Sequence, residues 1–214
     1  LAGTGRLGGT WSAVTVSGRL GAPGFGLARW RLRGDVVAPF RYAADVLRIE
    51  GGGLAVAGGD VSVDGDLLFT TEEGADVESP RLRLRAHGER LVPAQLGLAG
   101  VTGVLRGDAN IGGTLDEAIA RAVTELNDGA LLNIPLGTTT AAGRISLASL
   151  DLEQVTLSIG GSVVSATGRL LWDSEEVEAT VTASGVPVEA LQSALPLTAT
   201  GSLHGVATLS GTLD

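Results

Sequence analysis

The stretch from Val177 to Ser184 reads VEATVTAS, and its residues alternate strictly between apolar and polar. Successive side chains of a β-strand point to opposite faces of a sheet, so this stretch predicts a strand with one apolar and one polar face. The same alternation occurs in the ranges 29–33, 60–66, 81–86, 145–152, 155–159 and 165–172. The sequence therefore predicts an all-β protein.

One short phrase recurs at a fixed interval. The pattern T-G-x-L-x-G begins at Thr4, Thr102 and Thr200, with 98 residues between successive copies. Residues 102–116 (TGVLRGDANIGGTLD) and 200–214 (TGSLHGVATLSGTLD) are identical at nine of fifteen positions. Such self-similarity is typical of repeat architectures. We therefore expect an elongated, repetitive β-sheet that curls into an open, solenoid-like groove, with residues 1–214 forming one piece of a longer repetitive protein.

Glycine recurs in a regular pattern along the chain. Gly-x-Leu or Gly-x-Ile begins at many points, among them Gly65, Gly103, Gly168 and Gly201. Because glycine permits the positive φ values of tight turns, we interpret these glycines as turns, each followed by the next apolar face.

One or two short amphipathic helices are also predicted. Residues 114–129 (TLDEAIARAVTELNDG) carry Thr114 and Glu117 at capping-box spacing, end in Asn-Asp-Gly, and place apolar residues at helical spacing up to Leu126. A weaker helix is predicted over 187–195. In a β protein, such helices are expected to lie over an apolar face or an open end.

The composition excludes several kinds of site. The chain has no Cys, which excludes a disulfide, a thiolate zinc site and a cysteine nucleophile, and it has no Lys, which excludes a Walker A loop. Its net charge of −9 disfavours nucleic acid as a partner, because phosphate binding depends on clustered positive charge. The same charge disfavours electrostatic docking on anionic lipid headgroups.

Two motifs match binding sites only in part. Residues 3–8 (GTGRLG) fit the dinucleotide pattern G-x-G-x-x-G, but a predicted strand follows where a helix is required. Residues 60–66 (DVSVDGD) resemble the start of a calcium loop, but Thr71 stands where a bidentate Glu is required. We interpret the second segment as a strand that ends in a hairpin turn at Asp64 and Gly65. No cofactor and no metal site is predicted.

The sequence offers little support for catalysis. His87 and His204 are the two histidines, and His204 stands where the other phrase copies have Gly8 and Arg106. The pairs Glu72-Glu73 and Glu175-Glu176 are interpreted as solvated turns. Composition leaves a Ser-His-Asp triad open, but no G-x-S-x-G motif occurs. We predict that the protein is not an enzyme.

The many apolar strand faces have two interpretations. They can form the closed core of a β-sandwich, or they can line an open groove. Such a groove suits hydrocarbon, because burial of one methylene is worth about 0.8 kcal/mol and requires no hydrogen bond.

The phrase also carries a family resemblance. Its form G-x-L-x-G-x-x-x-L-S-G-T-L-D, preceded by PVEALQSALPL, resembles the C-terminal repeats of TamB-like proteins, within the wider AsmA-like group. Residues 102–116 and 200–214 match this pattern, and residues 4–9 match its first half. The resemblance implies a periplasmic protein of the bacterial envelope, anchored to the inner membrane by a segment outside residues 1–214. It also implies a role in outer-membrane biogenesis, with phospholipid acyl chains as cargo between the two membranes and a TamA-like outer-membrane barrel as a partner.

The resemblance implies a lipid-lining surface and no catalytic residues. In this chain the lining would be the alternating apolar set Val61, Val63, Leu82, Leu84, Ile145, Leu147, Val155, Leu157, Ile159, Val177 and Val181. The main alternative is a β-solenoid stalk of a cell-surface protein, with a dry core and no ligand. A polysaccharide-cleaving enzyme on a solenoid is less well supported, because the aromatic residues are few and scattered.

Overall fold

The computed structural model describes residues 2–10, 13–27, 30–56, 58–70, 76–96, 98, 100–192 and 199–212. Two 3-10 helices, Pro93–Leu96 and Val188–Leu191, accompany fourteen strands in these ranges. The strands are β1 (Ala2–Thr10), β2 (Ala13–Leu27), β3 (Trp30–Ala43), β4 (Val46–Val56), β5 (Gly59–Thr70), β6 (Asp76–Leu91), β7 (Val101–Thr114), β8 (Ile119–Leu131), β9 (Ile134–Pro135), β10 (Thr139–Ser146), β11 (Ser149–Ile159), β12 (Ser162–Leu171), β13 (Glu176–Pro187) and β14 (Ser202–Thr212).

All of these strands belong to one open antiparallel sheet. Strands that are neighbours in the sheet follow one another in the chain, from β1 through β8 and then from β10 to β14, while the two-residue β9 pairs with β8 beside this path. Among the described strands, β1 and β14 stand at the two ends of this order. The prediction of an all-β fold is confirmed, and its basis is the alternation of apolar and polar residues, which a two-faced sheet accommodates.

The repeated phrase has a fixed place in the sheet. Its three copies begin within β1, within β7 and two residues before β14, so the third copy lies mostly on β14. Along the sheet path, each copy lies six strands after the previous one. The sequence period of 98 residues therefore corresponds to a unit of six strands.

The helix predicted from Thr114 to Leu126 is wrong. β7 ends at Thr114, and β8 pairs along its length with β7 on one side and with β10 on the other. Thr114 and Glu117, which have the spacing of a capping box, form only a turn. In this turn the Glu117 N–H donates to the Thr114 carbonyl oxygen at 3.2 Å. Strand pairing on both sides outweighs the local helical preference, as tertiary context often does.

The second predicted helix is present only as the 3-10 helix Val188–Leu191, and residues 193–195 of that prediction lie outside the described residues. No helix in the described part of the chain is long and apolar enough to span a membrane.

Two predicted strand boundaries are also wrong. β5 continues through Asp64 and Gly65, and Gly65 pairs with Leu84. A Cβ at Gly65 would lie 2.1 Å from the Arg83 carbonyl oxygen, so this glycine permits close approach of two strands instead of forming a turn. The predicted run 145–152 is divided by a hairpin turn after β10, where Ser146 Oγ accepts the N–H of Ser149 at 2.9 Å.

Few side chains in the described residues are fully enclosed. The buried hydrophobic side chains are Leu82, Leu126, Leu136, Val164 and Val186. Extensive contacts between strands are confined to strands that are neighbours in the sheet. A β-sandwich would bury two facing layers of side chains, so the sandwich interpretation is wrong for the part of the chain that the structure describes.

Candidate functional site: the apolar face of the sheet

Strand register determines which side chains share a face. In an antiparallel pair, residues that face each other across the two strands point to the same side of the sheet. Leu82 in β6 faces Leu67 in β5 and Gly113 in β7, and Leu84 faces Gly65 and Ile111. Following such pairs from strand to strand assigns each residue to one of two faces.

One face is apolar from β5 to the edge at β14. Among the residues that have a partner on a neighbouring strand, this face carries apolar residues, glycines, Thr124, Thr139 and Ser162. It carries no charged residue at these paired positions. We call this surface the apolar face, and its apolar residues include Val61, Val63, Leu67, Leu82, Leu84, Ala86, Leu91, Leu105, Ala109, Ile111, Ala120, Ala122, Leu126, Ala141, Ile145, Leu150, Leu152, Val155, Leu157, Ile159, Val164, Ala166, Leu170, Val177, Ala179, Val181, Ala183, Val186, Leu203, Ala207 and Leu209.

The opposite face, which we call the polar face, carries the charged residues of these strands. Ion pairs link adjacent strands there, and their nitrogen–oxygen distances are 2.8 Å for Arg48–Asp66, 2.8 Å for Arg106–Glu125, 2.6 Å for Arg144–Glu153 and 3.2 Å for Arg169–Asp151. Opposite charges on facing strands stabilise a sheet modestly, and they also keep this face hydrated. The two faces therefore differ sharply in polarity.

Ten of the eleven residues predicted to line a groove lie on the apolar face. They are Val61, Val63, Leu82, Leu84, Ile145, Val155, Leu157, Ile159, Val177 and Val181. Leu147 is the exception, because it lies in the turn between β10 and β11, where it is 41% exposed. The sequence continues its alternation through that turn, so alternation alone did not indicate the chain reversal.

Sequence reasoning missed many members of this face, although a signal for some of them was present. Leu67, Leu105, Leu170 and Leu203 each follow a Gly-x pair, and residues two apart in a strand share a face. The interpretation of these glycines as turns is wrong for those within β5, β7 and β12. The predicted helix concealed a second group in β8, namely Ala120, Ala122 and Leu126.

Exposure differs between the two faces and along the sheet. In β12, Val164 on the apolar face is 5% exposed, whereas its neighbour Val163 on the polar face is 62% exposed. On the apolar face, exposure rises towards the β14 edge, to 37% at Val181 and 64% at Leu209. On the apolar face, Val164 is therefore far less exposed to solvent than Val181 and Leu209, which lie nearer to that edge.

His87 lies on the polar face between two carboxylates. Its Nδ1 is 2.8 Å from Asp108 Oδ1, and its Nε2 is 3.2 Å from Glu89 Oε1. The hydrogen bond to Asp108, followed by that to Glu89, raises the pKa of His87 above its ordinary value of 6.5. With both ring nitrogens facing carboxylates, this imidazole suits an ion-pair role and not that of a base beside a nucleophile.

His204 is arranged differently. Its Nδ1 accepts the Gly185 N–H at 3.1 Å, so in the neutral ring the proton resides on Nε2, which lies 3.1 Å from Ser202 Oγ. A general base must accept the proton of its nucleophile, and a protonated Nε2 cannot do so. Ser202 and His204 therefore lack the arrangement of a catalytic pair.

The remaining candidate motifs gain no support from the described residues. Within these ranges, no group of three or more His, Asp and Glu side chains is placed to hold a metal ion. Residues 3–8 lie within β1, which pairs directly with the following strand β2, so no helix N-terminus adjoins them. Glu175 lies in the turn before β13, whereas Thr71, Glu72 and Glu73 lie outside the described residues.

No protein-family model matches this chain. No curated protein and no solved structure matches it either. The resemblance to TamB-like proteins therefore rests on the phrase at 102–116 and 200–214, which the fold repeats every six strands.

Proposed function

We propose that this protein is a non-enzymatic, TamB-like lipid carrier of the bacterial envelope. In this proposal the sheet curls around its apolar face, and the resulting groove holds phospholipid acyl chains while the headgroups stay in water. The lipid passes between the inner and outer membranes through the periplasm. An inner-membrane anchor and a TamA-like barrel partner belong to the same proposal.

The observation that carries the proposal is the uninterrupted apolar face. It crosses the strands from β5 to β14 without a charged residue, and no second layer covers it in the described part of the chain. An acyl chain of about a dozen methylenes that buried half of its surface there would gain roughly 5 kcal/mol. A ligand part without polar groups can bind to such a surface through burial alone, because it has no hydrogen bonds to satisfy.

The difference in exposure between the polar face and the apolar face supports a sheet that curls around its apolar face. Val163 and Val164 are the same residue type in one strand, yet they are 62% and 5% exposed. A flat, uncovered sheet would expose both faces to a similar extent. Side chains on a concave face crowd together, which lowers their exposure without a covering layer.

The dry-core stalk is the weaker candidate. A stalk of that kind requires a closed core, but the described strands form one open sheet with few buried hydrophobic side chains. An exposed apolar surface of this extent is typical of a site that binds a partner or a ligand.

A matched pair of variants tests the proposal. Val181→Glu places a charge on the apolar face, and Val163→Glu places the same charge on the polar face of the adjacent strand. Each protein is purified from a bacterial envelope in mild detergent, and its bound lipids are measured by mass spectrometry against an unrelated β protein. We expect phospholipid with the wild type and with Val163→Glu, and its loss with Val181→Glu.

The same experiment includes the combined variant His87→Ala/His204→Ala as a further control. If lipid binding depends on the apolar face alone, this variant retains its phospholipid. A wild-type protein with no more lipid than the unrelated β protein would overturn the proposal, as would equal loss in Val181→Glu and Val163→Glu.

A further inference from the structure

Two connections at the same end of the strands carry exposed leucines. The first joins β6 to β7, where Leu98 is 43% exposed, and the second is the tight hairpin between β8 and β9, where Leu131 and Leu132 are 39% and 63% exposed. The Leu132 N–H donates to the Gly100 carbonyl oxygen at 2.9 Å, and a Cβ at Gly100 would lie 2.8 Å from Leu132 Cδ2. The two connections therefore touch, and we call Leu98, Leu131 and Leu132 the leucine tip.

The backbone of this hairpin is unusual for a leucine. The turn consists of Leu132 and Asn133, whose φ angles are 49° and 69°. Both central residues of such a turn need a positive φ, which is why asparagine, aspartate and glycine are favoured there. A leucine is disfavoured because its Cβ crowds the backbone. Residues held in an unfavourable conformation cluster at functional positions, and this one displays an apolar side chain to solvent.

The composition of both connections suits hydrocarbon. Residues 92–101 (VPAQLGLAGV) and 129–137 (GALLNIPLG) contain no charged residue and no aromatic residue. Binding sites for proteins are typically centred on Trp, Tyr or Arg, whereas a bilayer accepts aliphatic side chains without any polar partner. An exposed apolar cluster of this composition therefore favours a lipid surface over a protein partner.

The other end of the same strands is acidic. β7 and β8 are joined there by residues 115–118 (LDEA), which include Asp116 and Glu117. The turn between β12 and β13, at that same end, adds Asp173 and Glu175. Carboxylates are repelled by anionic headgroups, and their transfer into hydrocarbon is strongly unfavourable. The leucine tip is therefore the end that suits contact with a bilayer.

We propose that the leucine tip inserts into the surface of a lipid bilayer and docks this end of the sheet on the membrane. Val101, which pairs with Leu131, lies four residues from Leu105 of the apolar face, so a bilayer at the tip adjoins that face. The docking itself requires no lipid in the groove. It can therefore fail while the proposed lipid carrier stands.

Flotation with phosphatidylcholine vesicles tests the docking. Leu132→Asn removes the apolar side chain and supplies a residue that favours positive φ. Leu115→Asn makes the same change in the turn at the acidic end, where Leu115 is 48% exposed. We expect the wild type and Leu115→Asn to float with the vesicles, and Leu132→Asn to bind about tenfold more weakly. Anionic lipid added to the vesicles should weaken the binding of the wild type, because the chain has a net charge of −9.

Two further readouts separate docking from folding. The urea midpoint for unfolding of Leu132→Asn should be no lower than that of the wild type, because asparagine relieves the backbone of the turn. The chain has no native cysteine, so Pro135→Cys beside the tip and Ala148→Cys at the acidic end, both exposed, can each carry one environment-sensitive fluorophore. We expect vesicles to shift the emission of the first label to the blue and to leave that of the second unchanged.

Several results would overturn the docking. They are a wild type that does not float, binding by Leu132→Asn equal to that of the wild type, and equal weakening by Leu132→Asn and Leu115→Asn. A lower urea midpoint for Leu132→Asn would also overturn it, because the leucine would then serve the fold. So would equal emission shifts at the two labels, because neither end of the strands would then be the one that meets the bilayer.

Discussion

β7 and β14 carry nearly the same phrase, but the sheet gives them different surroundings. Both follow a 3-10 helix, and in both the first glycine has a positive φ, 113° at Gly103 and 133° at Gly201. In β7, exposed and half-buried residues alternate, whereas every described residue of β14 is exposed. Leu209 is 64% exposed, and its equivalent Ile111 is half-buried.

The difference shows that local conformation and burial have separate origins. The phrase directs the backbone of each copy, since glycine permits the positive φ and alternation favours a strand. Burial depends on the neighbours, because β7 has one strand on each side, whereas β14 pairs only with β13 in the described part of the chain. Matched substitutions at equivalent positions can therefore separate the two contributions.

The largest difference is expected for leucine truncation. Leu105 faces Leu91 and Leu126, while the equivalent Leu203 faces Val186 on one side only and is 49% exposed. We expect Leu105→Ala to lower the free energy of unfolding by about 2–3 kcal/mol and Leu203→Ala by about 1 kcal/mol. Urea unfolding followed by circular dichroism measures both. If both variants lost the same free energy of unfolding, the number of neighbouring strands would not determine how much each leucine stabilises the protein.

A smaller difference is expected for two equivalent glycines. A Cβ at Gly107 would lie 2.8 Å from the Val123 carbonyl oxygen and 2.8 Å from Thr124 Cγ2, whereas a Cβ at Gly205 meets nothing within 4 Å. We expect Gly107→Ala to destabilise the protein by about 1–2 kcal/mol through overpacking. Gly205→Ala should change stability by less than about 0.5 kcal/mol. The same unfolding assay applies, and destabilisation by Gly205→Ala would contradict the open environment of β14.

The smallest effect concerns one of the two charged residues of β7 that β14 lacks. Asp108 in β7 hydrogen-bonds His87, and β14 has Val206 at the equivalent position. We expect Asp108→Val to lower the pKa of His87 towards 6.5, because the largest cause of its raised value is lost. NMR titration of the His87 ring protons measures this, with His204→Gln used to assign the signals.

The sign of the pH effect follows from the raised pKa. The folded state favours the protonated imidazole of His87, so its contribution to stability is fully present below pH 6.5. The contribution is lost as the pH rises through the raised pKa of the folded protein. In Asp108→Val this loss should occur at lower pH, and an unchanged titration curve would contradict the assigned partner.

Alternation predicted most of the fold and much of the apolar face. Runs such as 60–66, 81–86 and 177–184 lie within β5, β6 and β13, and their apolar residues share one face. Prediction was wrong where two patterns overlapped, as in residues 114–126. Leu126 fits both a helical stripe and a strand face, and only pairing with β7 and β10 resolves that choice.

The sequence by itself determined that the chain forms strands with one apolar side, and that one strand type returns every 98 residues. Those properties are local, because they depend on side-chain polarity along a few consecutive residues. The tertiary structure decided which strands pair and in which register, where Leu147 turns away from the face, and why Leu105 and Leu203 differ in exposure. These outcomes depend on backbone pairing between distant segments, in which a shift of one residue would move every side chain to the other face.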